Sequence, residues 1–482
     1  MTTRLDTIRE VRIEKLTKLK KLGINPYPSK ISLKGKLVKI REARESLEKQ
    51  VLVAGRLMGL RGHGKVTFAD LKDESGQIQV LFKGDALKNK YELLELLDIG
   101  DFIAASGNVT KTQAGELTVD VEHFELLAKS ISPLPVNWEG FKDIETRFRK
   151  RYVDMVINQE VFERFKRRSK FWQAHREFFE TKGFIEINIP VLEHIPGGGD
   201  ANPFITHMDA IDEDFYLRIS QELPLKRLIG GGYEKVYEIG PRFRNEGLSD
   251  EHIPEHIAME FYWAYVDFND GMKLVKDLFD HVIKSVYGDK KTFNIRGFEV
   301  DFSKEWKVID FGEIFEKNYG VSPYGISLDQ VKALLKKNNI KTDFKVNIPR
   351  GVDNLWKKIR VTISGPAFVV NHPKYLSPLQ KPSLKDPRIV ERFQPVIAGS
   401  ELGNGWSEVN DPLDQYERFA EQQKLRDAGD KEAQWLDEDY IEMLEYGMPP
   451  TFGYGHSERV FWFLEDVTAR EGVPFPPMKA KK

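Results

Sequence analysis

The chain has 482 residues, of which 40% are hydrophobic and 31% charged, with a formal net charge of −2 and no cysteine. That length calls for two or three domains rather than one core. The missing cysteine excludes disulfides, thiolate metal sites and a cysteine nucleophile, so any metal must take oxygen or imidazole ligands, a set that favours magnesium. No apolar run approaches the ~18 residues that cross a bilayer, and the first residues lack an apolar signal core. Neither a membrane anchor nor secretion is expected, and the expected location is cytoplasmic.

Residues 1–50 carry fourteen Lys and Arg against six Asp and Glu, a net of +8. Leu5, Ile8, Ile13, Leu16, Leu19 and Leu22 recur at near-helical spacing up to a stop at Gly23, which predicts a short amphipathic helix with a basic outer face. Residues 1–48 therefore read as a basic arm, suited to a polyanion or simply to solvent. Five short strand-like runs follow: Val51–Leu57, Lys65–Leu71, Gln77–Phe82, Asp101–Gly107 and Leu117–Val121. Asp73-Glu74-Ser75-Gly76 makes a turn, and a helical segment lies near 84–97. Over 49–131 this pattern predicts a small closed barrel of the OB type. Such barrels bind single-stranded nucleic acid on a basic face bearing aromatic groups, which Arg61, His63, Lys65, Phe68 and Gln79 are able to supply. The alternative is a purely structural barrel with Phe68 in its core.

Ser132-Pro133-Leu134-Pro135 begins a stiff linker, taken as 132–150. Residues 151–482 mix helices and strands as an α+β domain rather than a βαβ repeat. A long helix is predicted over 160–182 and a proline-broken strand over Phe184–Leu192, and 410–447 reads as mostly helical and acidic. A strand, Tyr237–Pro241, runs into the charged turn Arg242-Phe243-Arg244-Asn245-Glu246, and a second, Ala258–Tyr265, follows within hairpin reach.

The chemistry concentrates in this last region. There is no P-loop and no strand-borne G-x-G-x-x-G. Arg244 and Glu246 instead form Phe-Arg-x-Glu, in which a planar guanidinium suits phosphate oxygens and a carboxylate accepts from an exocyclic amine, a pair suited to ATP. Ile195-Pro196-Gly197-Gly198-Gly199-Asp200 can bring backbone N–H groups close to a small ligand. Polar clusters recur at Gln221-Glu222, at His252 and His256, at Glu260 and Tyr262 on one strand face, and from Glu401 to Glu408. Carboxylates on apolar strands are costly to bury unpaired and imply cationic partners, whether a ligand or an internal arginine. Glu408 with Tyr262 and Trp406 is the kind of set that a compact ammonium on an apolar stem requires.

Five further segments carry a resemblance: Arg151-Tyr152-Val153-Asp154, Pro203-Phe204-Ile205-Thr206-His207, Glu222-Leu223-Pro224-Leu225-Lys226-Arg227, Phe243-Arg244-Asn245-Glu246-Gly247 and Asn404-Gly405-Trp406-Ser407-Glu408. With them the chain resembles the class II lysyl-tRNA synthetases of the bacterial type, which carry an N-terminal OB-fold anticodon-binding domain. The resemblance implies a multidomain protein with an antiparallel catalytic sheet, a homodimer, magnesium, and activation of lysine by ATP followed by transfer to tRNA. DNA and membranes are not implied partners. By the same resemblance Arg244 holds the α-phosphate, Glu246 the adenine amine, His252 the distal phosphates and Arg459 the γ-phosphate, while His256 stands at the adenine-stacking position. Gly198 and Glu222 take the lysine α-amine and Glu408 with Tyr262 the ε-ammonium, with Glu260, Asn404 and Trp406 completing the pocket. Glu401 ligates magnesium, and Arg61, Phe68 and Gln79 read the anticodon.

Three departures accompany it. Gln394 replaces a second metal-binding glutamate, and His256 replaces an adenine-stacking ring of another type. The third motif, Phe452-Gly453-Tyr454-Gly455-His456-Ser457-Glu458-Arg459-Val460, is one residue short, with His456 and Ser457 where small or apolar residues are usual. Rival readings are a relative that charges aspartate or asparagine, and an RNA-binding paralogue without ATP chemistry.

Overall fold

The computed structural model describes residues 4–135, 141–341, 346–429 and 433–480. Residues 136–140 of the expected linker, and 430–432 of the expected acidic helical stretch, lie outside the described residues. The chain divides into two compact units, Met1–Arg147 and Phe148–Lys482.

In the first unit, strands β1 (Gln50–His63), β2 (Val66–Lys72), β3 (Gln77–Lys83), β4 (Phe102–Lys111) and β5 (Leu117–Ala128) close in the order β1-β2-β3-β5-β4. Alternation along the strands turns Val53, Leu57, Ala69, Leu71, Val80 and Val119 into the barrel core. The segment near 84–97 is a single helical turn, Gly84–Leu87, followed by a 3₁₀ stretch, Lys88–Leu96. The arm forms the expected helix, Arg4–Lys21, and a second short one, Ile40–Arg44; the buried side chains of the first are Arg12 and Leu19, whereas Leu5 and Leu22 are exposed. Arg12 donates to the carbonyls of Ile99 (3.0 Å) and Ser130 (3.1 Å), and Lys15 pairs with Asp98 at 2.9 Å. Part of the arm's positive charge thus works inside the unit, because a polar rim of the barrel offers acceptors that sequence spacing does not reveal.

The second unit is built on a nine-stranded sheet ordered β14-β15-β16-β18-β19-β11-β10-β6, with β17 paired to β16. Its members are β6 (Ile185–Glu186), β10 (Lys235–Phe243), β11 (Glu255–Ala264), β14 (Lys307–Asp310), β15 (Ala367–Val370), β16 (Arg392–Ile397), β17 (Ser400–Glu401), β18 (Asn404–Ser407) and β19 (Thr451–Ser457). The interior pairings are antiparallel, and only the edge pairs β10–β6 and β14–β15 are parallel. Separate small sheets hold β7 (Leu192–Glu193), β8 (Ile205–Met208) and β9 (Glu213–Leu217), and the hairpin β12 (Thr292–Ile295) and β13 (Phe298–Asp301). The expected strand over Phe184–Leu192 survives only as its ends, β6 and the start of β7, since Pro190 cannot donate to a ladder.

The helices Gln159–Thr181 and Phe268–Tyr287 pack on one face, where Phe171, Phe179, Leu278, Phe261, Phe452 and Phe461 form the main core. The helix Glu222–Gly230 lies with Glu438–Tyr446 in a second cluster that includes Tyr262. One sheet surface is therefore left to carry polar groups. No helix among the described residues is long and apolar enough to cross a membrane.

Candidate functional site

A cavity of about 290 Å³ opens over β10, β11, β18 and β19, lined by Gly198, Ser220, Glu222, Arg244, Glu260, Tyr262, Glu401, Asn404, Trp406 and Arg459 among others. A smaller one, about 70 Å³, holds Glu246, His252 and His256 and shares Arg242, Arg244, Ser457 and Arg459 with it. Together they contain every residue expected to touch ATP, and every residue expected to touch lysine except Glu408.

The carboxylates at one end are densely coordinated. Glu260 and Tyr262 sit two apart on β11 and face the same way, and the Tyr262 hydroxyl donates to Glu260 Oε2 at 3.0 Å. Glu260 Oε1 accepts from Ser220 Oγ at 2.7 Å and pairs with Arg242 at 3.4 Å. Part of the expected cationic partner is therefore an internal arginine. Glu222 Oε1 and Glu408 Oε2 both accept from Lys226 Nζ, at 2.8 and 2.7 Å, and all three side chains are buried. Glu408 does not line the cavity. It lies behind Trp406 and Tyr262, where a Cβ on Gly453 would collide with its Oε1 and with the tyrosine ring. That Oε1 is buried, and the neighbouring donor is the Trp406 indole N–H, which makes no well-aligned hydrogen bond of its own. Burial raises the Glu222 carboxyl to about 8 and raises Glu408, in both cases against Lys226; the carboxylates hold Lys226 well above its ordinary range despite burial.

Gly198 adopts φ +79°, a left-handed conformation, and a Cβ there would come within 2.5 Å of Glu222 Cβ. Glycine lets this backbone lie against the base of the Glu222 side chain and Ser220. At the other end Arg244 has no ion pair among the described residues, and its buried Nε has no acceptor. Its neighbours are committed: Arg242 donates to His256 Nε2 at 2.9 Å, and Arg392 donates to Asn404 Oδ1 at 2.8 Å. Arg459 donates to Glu251 Oε2 at 2.6 Å, and Glu251 also accepts from Ser400 Oγ at 3.0 Å and from Arg296. Burial, with Arg459 close by, lowers His252, and burial lowers His256 strongly, so both rings are neutral at pH 7.

The metal expectation divides. Glu401 lines the cavity, with its carboxylate already accepting from Trp356 Nε1 at 2.7 Å and paired to Arg360 at 3.3 Å. Gln394 does not line it: β16 buries that side chain, and its Oε1 accepts from His372 Nε2 at 2.8 Å. An amide oxygen occupied in this way does not fit a metal ligand. No cluster of three or more His, Asp or Glu among the described residues could hold a metal alone.

On the barrel, Phe68 stands opposite Arg61 across β1–β2, and Gln79 stands opposite Asp70 across β2–β3. Phe68 is half-buried on the outer face, between the buried Thr67 and Ala69, so it is not a core residue. Asp70 pairs with Arg61 at 3.3 Å, and Gln79 Oε1 accepts from Thr118 at 2.8 Å. Sequence reasoning missed Asp70, Ser220, Glu251, Arg392 and Lys226. Of these only Lys226 left a signal, standing four residues after Glu222 on one helix face.

A family model described as "tRNA synthetases class II (D, K and N)" matches residues 143–479, and one described as "OB-fold nucleic acid binding domain" matches 51–127. Full-length relatives are similar too. A lysine–tRNA ligase of Thermotoga maritima is 42% identical, covering 99% of this chain and 97% of its own length. Another, of Carboxydothermus hydrogenoformans, is 42% identical over 99% of both chains. A third, of Fervidobacterium nodosum, is 42% identical over 98% of this chain and 94% of its own.

Proposed function

The chain belongs to the class II lysyl-tRNA synthetases, and from that premise we propose how its residues divide the work of activating lysine with ATP and charging tRNA. The observation that carries the division is a contrast across the cavity: Arg244, a lining arginine with no ion pair among the described residues, and the buried carboxylate Glu408, which lies just behind the lining Trp406 and Tyr262.

Arg244 grips the α-phosphate and the lysine carboxylate. Negative charge grows on phosphorus as the carboxylate oxygen bonds to it and pyrophosphate leaves, and a guanidinium held in place stabilises that charge without reorganising. Glu246 accepts from the adenine amine, and the neutral His256 ring packs against the base. His252 and Arg459 meet the distal phosphates, Arg459 exchanging Glu251 for the γ-phosphate. Glu222 and the Gly198 backbone hold the α-ammonium. A shift of the Trp406 indole brings the ε-ammonium to Glu408 Oε1, with the Tyr262 ring along the aliphatic stem and Glu260 and Asn404 at its sides. A ribose hydroxyl of the tRNA terminus then attacks the lysyl carbonyl and releases AMP. Arg61, Phe68 and Gln79 form the anticodon platform, with Phe68 stacking on a base.

Magnesium belongs to this reading: Glu401, which lines the cavity as Gln394 does not, would be its protein ligand after exchanging Trp356 or Arg360 for the ion, beside phosphate oxygens of the nucleotide. When bound it neutralises phosphate charge. Gln394 has no part in it. A homodimer belongs to it too, supported by the open sheet edge at β6, where Ile185 is exposed, and so does a cytoplasmic location, where tRNA is charged. ATP–pyrophosphate exchange tests the whole: it should require lysine. Exchange driven by aspartate or asparagine instead, or none with any amino acid, refutes it.

A further inference from the structure

We propose that Lys226 is a positioning residue that sets the length of diamino acid the site accepts, by tying together the two carboxylates assigned to the substrate's two ammonium groups. The inference rests on the lysine reading above.

Lys226 sits on the helix Glu222–Gly230, one turn beyond Glu222, and is fully buried. Its Nζ serves Glu222 Oε1 and, 182 residues away in sequence, Glu408 Oε2. The ammonium also lies 5.4 Å from the centre of the Tyr440 ring. An ammonium has three donors and no acceptor, and one whose donors serve two carboxylates beside an aromatic ring is a strut, with no free pair for attack.

Two consequences follow for the substrate. First, each tied carboxylate has one oxygen fixed by Lys226, which leaves its other oxygen as the one wholly free for a ligand. For Glu408 that is Oε1, buried and without a well-aligned hydrogen bond. The separation between the α-ammonium and ε-ammonium positions is then a property of the Glu222–Lys226–Glu408 unit and not of two independent side chains. Second, charge balances only with lysine in place. Once a bound ammonium has ionised Glu222, the carboxylates Glu222, Glu260 and Glu408 face Lys226 and Arg242, which leaves one negative charge for the substrate to meet. Lysine, with two ammonium groups and one carboxylate, brings a single positive charge. Ornithine carries the same charge but is one methylene shorter, so only the geometry separates the two. A missing methylene in a shaped pocket is worth about 10–200-fold, provided the two anchors cannot close on the shorter chain. Lys226 is the group that prevents them from closing.

The test is amino-acid-dependent ATP–pyrophosphate exchange by the full chain with lysine and with ornithine, in wild type, Lys226→Met and Lys226→Gln. Met keeps the stem without the charge, and Gln keeps a donor without the charge. Lysine-dependent exchange by the wild type is the first arm. Its absence sinks the lysine reading itself and is a different failure from that of the strut. Given that activity, each folded variant should show a lysine KM raised at least tenfold, an ATP KM within about twofold of wild type, and a lysine-over-ornithine preference lowered at least tenfold. A residue that merely stabilised the fold would lower activity without moving that preference or separating the two KM values. A folded variant with the wild-type preference overturns the proposal. So does failure of both variants to fold, since Lys226 would then serve the fold rather than selection.

Discussion

His456 Nε2 lies 2.9 Å from His175 Nε2, joining the shortened third motif to the helix Gln159–Thr181 across 281 residues of sequence. His175 Nδ1 faces the Phe171 carbonyl at 2.7 Å, so it carries the proton and Nε2 accepts. His456 therefore donates from Nε2, and its Nδ1 accepts from the Tyr454 hydroxyl at 3.2 Å. Burial holds both rings neutral, lowering His175 to about 4 and His456 well below its ordinary value.

Breaking that pair should be costlier than removing it. His456→Leu strands a buried acceptor on His175 and is expected to destabilise the second unit by roughly 1–3 kcal/mol. His175→Phe combined with His456→Leu should cost less than the two single changes added together. The pH dependence has a definite sign. The unfolded chain takes up protons near the ordinary histidine value of 6.5 and the folded chain does not, so this contribution is complete above about pH 6.5 and is lost as pH falls toward 4. Urea unfolding at pH 7.5 and 5.5 reads both effects. Additive costs, or the same acid sensitivity in the double variant, would contradict the account.

Arg244→Ala should lower lysine-dependent pyrophosphate exchange by about 10²–10³-fold, the usual effect of deleting one preorganised donor at developing charge. Binding of tRNA, measured by filter retention, should stay within a few-fold of wild type. Near-normal exchange would mean that another of the cavity's arginines holds the α-phosphate.

Glu408→Gln keeps the shape and removes the charge opposite the ε-ammonium. Losing a charge-assisted bond of about 1.5–3 kcal/mol should raise the lysine KM by roughly 10–150-fold and leave the ATP KM in place. An unchanged lysine KM would locate the ε-amine elsewhere.

Lysine binding should release protons below pH 8. Burial raises Glu222 to about 8 in the free site, whereas a bound ammonium favours its ionised form. Affinity should therefore rise from pH 6 toward pH 8 and then level off. Titration calorimetry in two buffers of different ionisation enthalpy counts the protons; binding that is flat with pH and releases none would exclude Glu222 as the titrating partner.

Phe68→Ala should leave exchange untouched and raise the tRNA requirement in aminoacylation by about 5–150-fold, which corresponds to ~1–3 kcal/mol for one base stacked on an aromatic ring. Charging that is unaffected would remove Phe68 from the anticodon platform.

Much of the architecture was legible locally. Alternating apolar residues from Val51 to Val121 announce a barrel, because a strand that buries one face must repeat every second residue. The helix over Gln159–Thr181 and the pair of strands on either side of Arg244 follow from equally local patterns. The break near Pro190 was legible from the proline itself, whereas the inward turn of Arg12 was not, since it depends on acceptors supplied by other elements.

The sequence by itself determined the inventory: which residues have phosphate-binding, carboxylate or stacking chemistry, and which short motifs carry them. Partnership was decided only by the tertiary structure. Gln394 looks like a metal ligand until His372 is seen to occupy its oxygen. Glu408 looks like an open carboxylate until Lys226 is found on its other oxygen, and His456 looks out of place until His175 is found opposite. The physical reason is common to all three. A buried polar group must be satisfied, and in a sheet assembled from distant strands its partner is set by which faces meet, a relation that spacing along the chain does not encode.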